Sequence, residues 1–270
     1  MKPLSILLLI QISCIGYGQC FTENFAFKEG ETITYDAVYQ WGFIWITAGR
    51  VVFTVKTDTF NNREVYHFDT YGETLKKFDL FFKVRDRYQS YLDKKTFKPL
   101  WYHRTSSEGG YNVDNEFFFN QENNMAVTYV QNSNRPLTVD TVKLPYCTFD
   151  VVSLAYYSRN IDFTKYKIND KIPVTVILDN EIFELYIRYR GKEILKTRDG
   201  TKYRCLVFSA MLVEGTMFKG GEDMRVWVTD DKNRIPVLVE AKVLVGSVKG
   251  VLTDMKDLKN PVDALIKEDK

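Results

Sequence analysis

The chain has few of the residues from which most active sites are built. Its 270 residues include only two histidines, His67 and His103, and four cysteines without a CxxC spacing. Because metal sites are usually built from closely spaced Cys, His or carboxylate ligands, the sequence predicts no metal and no cofactor. It also lacks a Gly-x-Ser-x-Gly elbow, a His-Glu-x-x-His helix, a phosphate-binding glycine loop and a calcium loop. These absences favour a protein that is not an enzyme.

Neither sign of charge dominates, and no long apolar run follows the N-terminal segment. The 37 basic and 35 acidic residues give a net charge of +2 and are mixed along the chain. Without a basic stripe, nucleic acid is not an expected partner. Without an apolar run of about 20 residues, no transmembrane span is expected.

The N-terminus has the order of a secretory signal peptide. Lys2 precedes the apolar run Leu4–Ile12, and Gly16 and Gly18 occupy the −3 and −1 positions of a cut before Gln19. We therefore predict a signal peptide over residues 1–18 and a single β-rich domain over residues 19–270. The expected location is the periplasm or the outer envelope.

The cysteines leave two alternatives open. Acylation of Cys20 is not expected, because Tyr17-Gly18-Gln19 lacks the aliphatic residue of a lipoprotein box. Cys14 leaves with the signal peptide, so an odd number of cysteines remains. Cys147–Cys205 is the pairing to consider. The alternative is a free Cys205 buried as a small apolar residue in a strand.

Alternating apolar and polar residues are the dominant pattern in the rest of the chain. The 17 Tyr and 19 Phe also favour strands. Short alternating runs are separated by turn signals such as Asn61-Asn62, Asp179-Asn180 and Asp199-Gly200. This pattern predicts a mainly β fold, an antiparallel meander that forms a curled sheet or an open barrel with one packed helix. The aromatic residues either fill that core or form a ligand surface.

Four segments interrupt the alternation. Thr148–Asn160 has an apolar helical face, which predicts a helix of about three turns with Thr148 as N-cap. Glu73–Phe82 is either a helical turn or a bulged connection. Asn132–Pro145 is expected to be a crossing loop between two halves of the meander. Asp254–Lys270 is charged and is expected to be a short helix or a loose end.

Aromatic residues supply the first candidates for ligand contacts. Trp41, Phe43 and Trp45 alternate, so we expect them on one face of an early strand. There they would stack on sugars or acyl chains, or belong to the core. Tyr157 and Arg159 end the predicted helix, where Arg159 would meet an anionic head group at the rim. The alternative for Arg159 is a salt bridge within the protein.

Two acidic pairs are the candidates for carboxylate catalysis of glycoside hydrolysis, Glu222-Asp223 and Asp230-Asp231. Asp230-Asp231 falls between two strands, where aspartate commonly caps the turn backbone. The turn interpretation is preferred, and no catalytic residue is assigned.

Three segments in order carry a resemblance to a known family: Tyr35–Gly49, Phe149–Arg159 and Val226–Val237. Together they resemble domain-of-unknown-function family 3108, exported bacterial proteins seen often in Bacteroidetes. The third segment adds Trp227 to the ligand-contact candidates. The resemblance implies an envelope location in a Gram-negative bacterium and, since the family has no agreed activity, no catalytic residues. The strand pattern is also similar to the curled sheets of envelope lipoprotein carriers.

The leading hypothesis is a non-enzymatic envelope protein that binds or carries an apolar or amphipathic molecule, a lipid or a glycan. One alternative is a structural assembly factor that acts through contacts with envelope proteins. The other is a carbohydrate-active hydrolase with paired carboxylates.

Overall fold

The computed structural model of the protein describes residues 23–213, 221–243 and 246–267. Sixteen strands in these ranges belong to one sheet, so the predicted mainly β fold is confirmed. The strands are β1 (Thr32–Trp41), β2 (Ile44–Phe60), β3 (Arg63–Thr74), β4 (Val84–Asp93), β5 (Pro99–Glu108), β6 (Tyr111–Asn120), β7 (Met125–Asn132), β8 (Arg135–Lys143), β9 (Thr148–Phe149), β10 (Lys171–Leu178), β11 (Glu181–Lys196), β12 (Lys202–Leu212), β13 (Gly221–Thr229), β14 (Pro236–Lys242), β15 (Ser247–Lys256) and β16 (Leu265–Ile266). The helical elements described are α1 (Val151–Ser158) and two 3-10 turns, η1 (Lys76–Phe78) and η2 (Phe163–Lys165).

The sheet is a curled antiparallel meander with two edges. Its strands follow one another from β8 to β1, and then from β15 back to β9. Pairing of β1 with β15 joins the first half, β1–β8, to the second half, β9–β15. Since β8 and β9 are the two ends of this order, the sheet is not closed into a barrel. Helix α1 contacts β3 and β4 of one half and β9 and β10 of the other, so the sheet curls around it.

Two of the tight turns lie where dipeptide signals predicted them. Asn61 and Asn62 have φ of 50° and 61°, and Asp179 and Asn180 have φ of 44° and 71°. Two successive residues in the left-handed region match the right-handed twist of the flanking strands. These turns set the register of β2 against β3 and of β10 against β11.

Helix α1 is shorter than predicted and has a different N-cap. Thr148 belongs to β9, and its hydroxyl donates to the Pro145 carbonyl at 2.8 Å. Asp150 caps the helix instead, because its carboxylate accepts from the backbone N–H groups of Val152 and Ser153, both at 2.9 Å. The predicted N-cap was therefore wrong by two residues.

Two segments that were not predicted as strands are paired with the sheet. The expected crossing loop, Asn132–Pro145, contains β8, which forms a hairpin with β7. Its Pro136 is tolerated because β8 is an edge strand. The expected charged tail also differs, since β15 extends to Lys256 and β16 pairs with β12. The undecided segment, Glu73–Phe82, ends β3 and then forms η1.

The main core lies on the inner face of the sheet, the face that packs against α1. Phe68 on β3 stacks on Tyr156 of α1 with ring centroids 3.8 Å apart. Phe27, from the segment that precedes β1, packs edge-on against both rings, at 5.4 Å and 5.1 Å. Many of the aromatic residues noted in the sequence thus fill the space inside the curl.

A second cluster lies on the outer face of the second half. Its buried members are Tyr203, Cys205, Val207, Trp227 and Val237. The C-terminal segment crosses this face, and its Val262 and Leu265 pack onto the cluster. Here the chain covers its own sheet from outside.

Cys205 is free and buried within this second cluster. Burial raises the pKa of its thiol to about 12. Cys147, by contrast, is disulfide-bonded, so the pairing considered from the sequence, Cys147–Cys205, is wrong. The alternative, Cys205 as a small buried apolar residue, is confirmed.

Candidate functional site

The two predicted ligand contacts on the helix, Tyr157 and Arg159, lie inside the curl. The Tyr157 ring packs on Phe149 with centroids 4.3 Å apart, and both residues belong to the main core. Burial raises the pKa of Tyr157 to about 12. A tyrosine in this position contributes packing area to the core.

Arg159 forms a buried ion pair with Glu31. Its guanidinium donates to the two carboxylate oxygens of Glu31 at 2.5 Å and 2.9 Å. The remaining N–H groups reach the backbone carbonyls of Asn233, at 2.9 Å, and Ala26, at 3.3 Å. Bidentate pairing of this kind is the strongest geometry available to arginine. The alternative weighed from the sequence, internal salt pairing, is therefore confirmed.

Trp227 and Trp45 lie on the outer face under other parts of the chain. The Trp227 indole donates to Glu193 at 2.8 Å and lies under the Arg225 guanidinium, 4.6 Å from its ring. Trp45 lies between two cations, with Arg198 at 5.0 Å and Lys249 at 4.6 Å from its ring.

Trp41 and Phe43 are at the exposed tip of the β1–β2 hairpin. Gly42 takes φ of 56° between them, so the chain reverses there instead of continuing as one strand. The expectation that Trp41, Phe43 and Trp45 share one face of a single strand was therefore wrong. Trp41 is 58% exposed and Phe43 is fully exposed, at 105%. The six predicted residues thus fall in three different places and do not line one pocket.

A row of aromatic side chains that the sequence reasoning missed crosses the outer face of the first half. Tyr91, Trp101 and Phe118 lie directly opposite one another on β4, β5 and β6. We call these three residues the aromatic row. The Tyr91 and Trp101 rings are 4.8 Å apart, and Tyr129 of β7 packs edge-on against Phe118 at 6.0 Å. All four rings are partly accessible to solvent.

Polar groups next to the aromatic row hold its rings in place. The Trp101 indole donates to Glu116 at 2.8 Å, and Tyr91 donates to Asp58 at 3.4 Å. His103 lies 2.8 Å from Asp114, one step further along the same strands. The carboxylates of Asp58, Asp114 and Glu116 retain lone pairs, which can accept further hydrogen bonds at the edge of the rings.

A cleft of about 510 Å³ opens beyond His103, toward the β5–β6 and β7–β8 turns. We call it the polar cleft. Its lining residues are Arg85, Thr105, Ser106, Ser107, Asn112, Val113, Asp114, Gln131, Asn132 and Ser133. Three of these residues are paired across neighbouring strands: Thr105 of β5, Asp114 of β6 and Gln131 of β7. Each lies two positions along its strand from a residue beside the aromatic row, which is His103, Glu116 or Tyr129 respectively. Since residues two apart on a strand share a face, the cleft and the aromatic row form one outer surface.

The individual strands were predictable, but their alignment was not. Each member of the aromatic row lies on a strand next to an inward-facing residue, such as Tyr102 beside Trp101 and Phe117 beside Phe118. The signal in the sequence was that neighbouring positions, which face opposite sides of the sheet, are both aromatic. Register across the three strands is what turns these positions into a row.

The acidic pairs proposed for catalysis have structural partners. Glu222 accepts from Arg188 and Arg190, and the hydrogen bonds from Arg188 lower its pKa to about 2. Asp231 accepts from the Thr229 hydroxyl and the Asn233 backbone N–H, so it caps the turn as expected. Within the described ranges, no group of three or more His, Cys, Asp or Glu residues could hold a metal ion. In that part of the chain no helix has the length and apolar content to cross a bilayer.

Comparison with known proteins gives a family and a fold. A family model described as "Protein of unknown function (DUF3108)" matches residues 34–253. None of the curated proteins matches the chain. Among solved structures, the chain is similar to a beta-barrel-like protein of the domain of unknown function DUF1849 from Brucella abortus. That match has a TM-score of 0.53 at 10% identity and covers 84% of this chain and 96% of the other. At this level of sequence identity the match shows similarity of fold alone.

Proposed function

We propose that this chain, which belongs to the DUF3108 family, is an exported envelope protein that binds a glycan without chemical conversion. The observation that carries the proposal is the continuity of the aromatic row with the polar cleft on the outer face of β4–β7. Its location in the periplasm or at the outer envelope is part of the proposal and depends on the predicted signal peptide.

The chemistry of this surface matches that of a sugar chain. A pyranose ring has one apolar face of C–H groups, which packs on aromatic rings such as Trp101 and Phe118. Its hydroxyl groups need donors and acceptors, and the cleft supplies hydroxyl, amide and carboxylate groups. A cleft with a few convergent polar groups beside an apolar surface is the usual form of a small-ligand site.

The inner face offers less room for a ligand. The curl is filled by α1 and by rings such as Phe27, Phe68 and Phe117, which are at most 1% exposed. Such close packing leaves few voids larger than a water molecule. A carrier of acyl chains would require space for its ligand inside the curl. We therefore place the ligand on the outer face instead.

The test is a calorimetric titration of the protein with soluble oligosaccharides from Gram-negative lipopolysaccharide and peptidoglycan. We expect Trp101→Ala to weaken binding by about tenfold or more, since it removes the central ring of the row. Trp41→Ala is the matched control, because Trp41 is exposed and lies outside both the row and the cleft. Equal affinity of Trp101→Ala and the unsubstituted protein would overturn the proposal, as would the absence of binding to any of these sugars.

A second candidate, the assembly factor, is favoured by the edge strand β8. One side of β8 has no neighbouring strand within the described sheet, and its Leu137 and Val139 are each 54% exposed. Exposed strand edges pair readily with other chains. A photo-crosslinker at position 139 should then yield one discrete adduct with an envelope protein, while one at Ile194, also exposed, should not.

A further inference from the structure

The most exposed large apolar side chains of the described residues lie on two loops. These are Phe43 at 105%, Leu80 at 92% and Phe81 at 86% exposed. Trp41 and Ile44 accompany Phe43 at the β1–β2 tip, and Phe82 accompanies Leu80 and Phe81 in the β3–β4 loop. We call these six residues the apolar rim. Soluble proteins rarely expose so many large apolar groups together unless the surface binds something.

Both loops lie at the same end of the sheet. β1, β2, β3 and β4 are successive antiparallel neighbours, so the β1–β2 and β3–β4 connections emerge at one end. The β3–β4 loop begins beside β2, since the N–H of Leu75 donates to the carbonyl of Ala48, a residue of that strand, at 2.8 Å. The apolar rim therefore consists of two loop tips at one end of the sheet.

Polar contacts inside the β3–β4 loop turn its apolar residues outward. Arg85 donates to both carboxylate oxygens of Asp79, at 2.6 Å and 3.1 Å. The Thr74 hydroxyl donates to the same carboxylate at 2.6 Å. Phe82 packs so closely on Gly109 that a Cβ there would lie 2.5 Å from the phenyl ring. These contacts fix Asp79 and Phe82 in place, while Leu80 and Phe81 are exposed to solvent.

Cationic side chains flank the apolar rim. Lys76, Lys77 and Lys83 are exposed in the β3–β4 loop. None of them takes part in the ion pairs formed by the described residues. The loop's own carboxylate, Asp79, is already neutralised by Arg85. The rim therefore presents net positive charge beside its apolar side chains.

We propose that the apolar rim inserts into the surface of a phospholipid bilayer that contains anionic lipids. Aromatic and aliphatic side chains at loop tips, with lysines beside them, match the apolar interior and the negative head groups of such a surface. A protein partner fits less well, because the rim consists of protruding side chains, and protein interfaces bury their anchors in a packed, complementary patch. The insertion needs no membrane-spanning segment.

The test is co-sedimentation of the mature protein with vesicles of phosphatidylcholine, with and without phosphatidylglycerol. We expect Phe43→Ser/Leu80→Ser/Phe81→Ser to reduce partitioning onto both kinds of vesicle by at least about tenfold. Lys76→Gln/Lys77→Gln/Lys83→Gln should reduce only the gain from phosphatidylglycerol, by about fivefold for each lysine next to the surface. Leu137→Ser/Val139→Ser is the control, since it removes exposed apolar side chains from a different face.

Trp41 provides a second readout that does not depend on sedimentation. On addition of vesicles its fluorescence should shift to shorter wavelength, and Trp41→Phe should abolish that shift. Equal partitioning of the triple serine variant and the control variant would overturn the proposal, as would an unchanged Trp41 spectrum. Trp101→Ala should bind vesicles normally, so failure of the glycan site and failure of the rim are distinguishable.

Discussion

The two halves of the sheet have similar strands but different outer faces. In the second half, the C-terminal segment covers Trp227, Cys205 and Val237, and Ala264 within that segment is fully buried. In the first half, Tyr91, Trp101 and Phe118 also face outward, and among the described residues they stay partly accessible to solvent. An outward aromatic residue is thus a core residue where the chain returns over it, and a candidate binding residue where it does not.

The largest loss of unfolding free energy is expected in the interior, at the buried ion pair between Arg159 and Glu31. Arg159→Met leaves the Glu31 carboxylate buried without its partner, so it should lower the free energy of unfolding by about 3–5 kcal/mol. Urea unfolding with the disulfide intact measures this. The double variant Glu31→Gln/Arg159→Met should recover part of the loss, because it removes the stranded charge. No recovery would mean that packing of Arg159, and not its charge, is what stabilises the fold.

The two tryptophans test the comparison of the outer faces directly. Trp227→Ala removes a buried ring, which should cost about 3–5 kcal/mol of unfolding free energy. Trp101→Ala removes a partly exposed ring and should cost about 1 kcal/mol or less. The comparison fails if urea unfolding gives the two variants similar losses.

Two leucines test the cover itself. Leu265→Ala loosens the C-terminal segment over the second cluster and should cost about 1–2 kcal/mol, since Leu265 is half-buried. Leu137→Ala, on the exposed edge strand β8, should stay within about 0.5 kcal/mol. Thermal unfolding of the two variants side by side measures the difference. A loss for Leu137 as large as that for Leu265 would show that the first half is also covered.

Acid should weaken the second half through Glu222. Its pKa is about 2 in the folded protein and 4.5 ordinarily, because Arg188 donates hydrogen bonds to the carboxylate. A carboxylate with a lowered pKa stabilises the fold above pH 4.5, and that contribution is lost as the pH falls toward 2. In Glu222→Gln, the free energy of unfolding should therefore fall less steeply between pH 4.5 and pH 2. A curve of unfolding free energy against pH that is unchanged by Glu222→Gln would contradict the assignment.

The smallest expected effect concerns Cys205. Its thiol is buried under the covered face, so a thiol reagent should not label the native protein. Unfolding without reduction should expose it to labelling, while Cys147 stays protected by its disulfide. Leu265→Ala should speed native labelling, and Leu137→Ala should not. Rapid labelling of the unsubstituted protein would show that the cover opens readily.

Local patterns were enough to predict most of the strands and several turns. The turn at Asn61-Asn62 follows from residues that tolerate positive φ, and the cap at Asp231 follows from a short acidic side chain beside free backbone N–H groups. The N-cap was wrong because Thr148 and Asp150 are both good caps, and only pairing of Thr148 within β9 decides between them. The strand β8 was missed because Pro136 usually interrupts strands, and only its place at the edge of the sheet permits it.

The candidate sites were less predictable than the fold. Trp41 and Phe43 were identified as ligand contacts, and the structure places them at the apolar rim and not in a pocket. Tyr157 and Arg159 have the same residue types as binding residues but lie in the core, because Glu31, 128 positions away, satisfies the arginine. The aromatic row needed the pairing of β4 with β5 and of β5 with β6.

The amino-acid sequence by itself determined the antiparallel β character and several of the turn positions, because these depend on residues close together in the chain. Only the tertiary structure decided which outward faces are covered, which charges are paired and which rings line up. Apolar burial has no preferred direction, so the same alternating strand serves equally as core or as surface. The choice between them is made by distant segments, here the chain before β1 that brings Glu31 to Arg159 and the C-terminal segment that closes over Trp227.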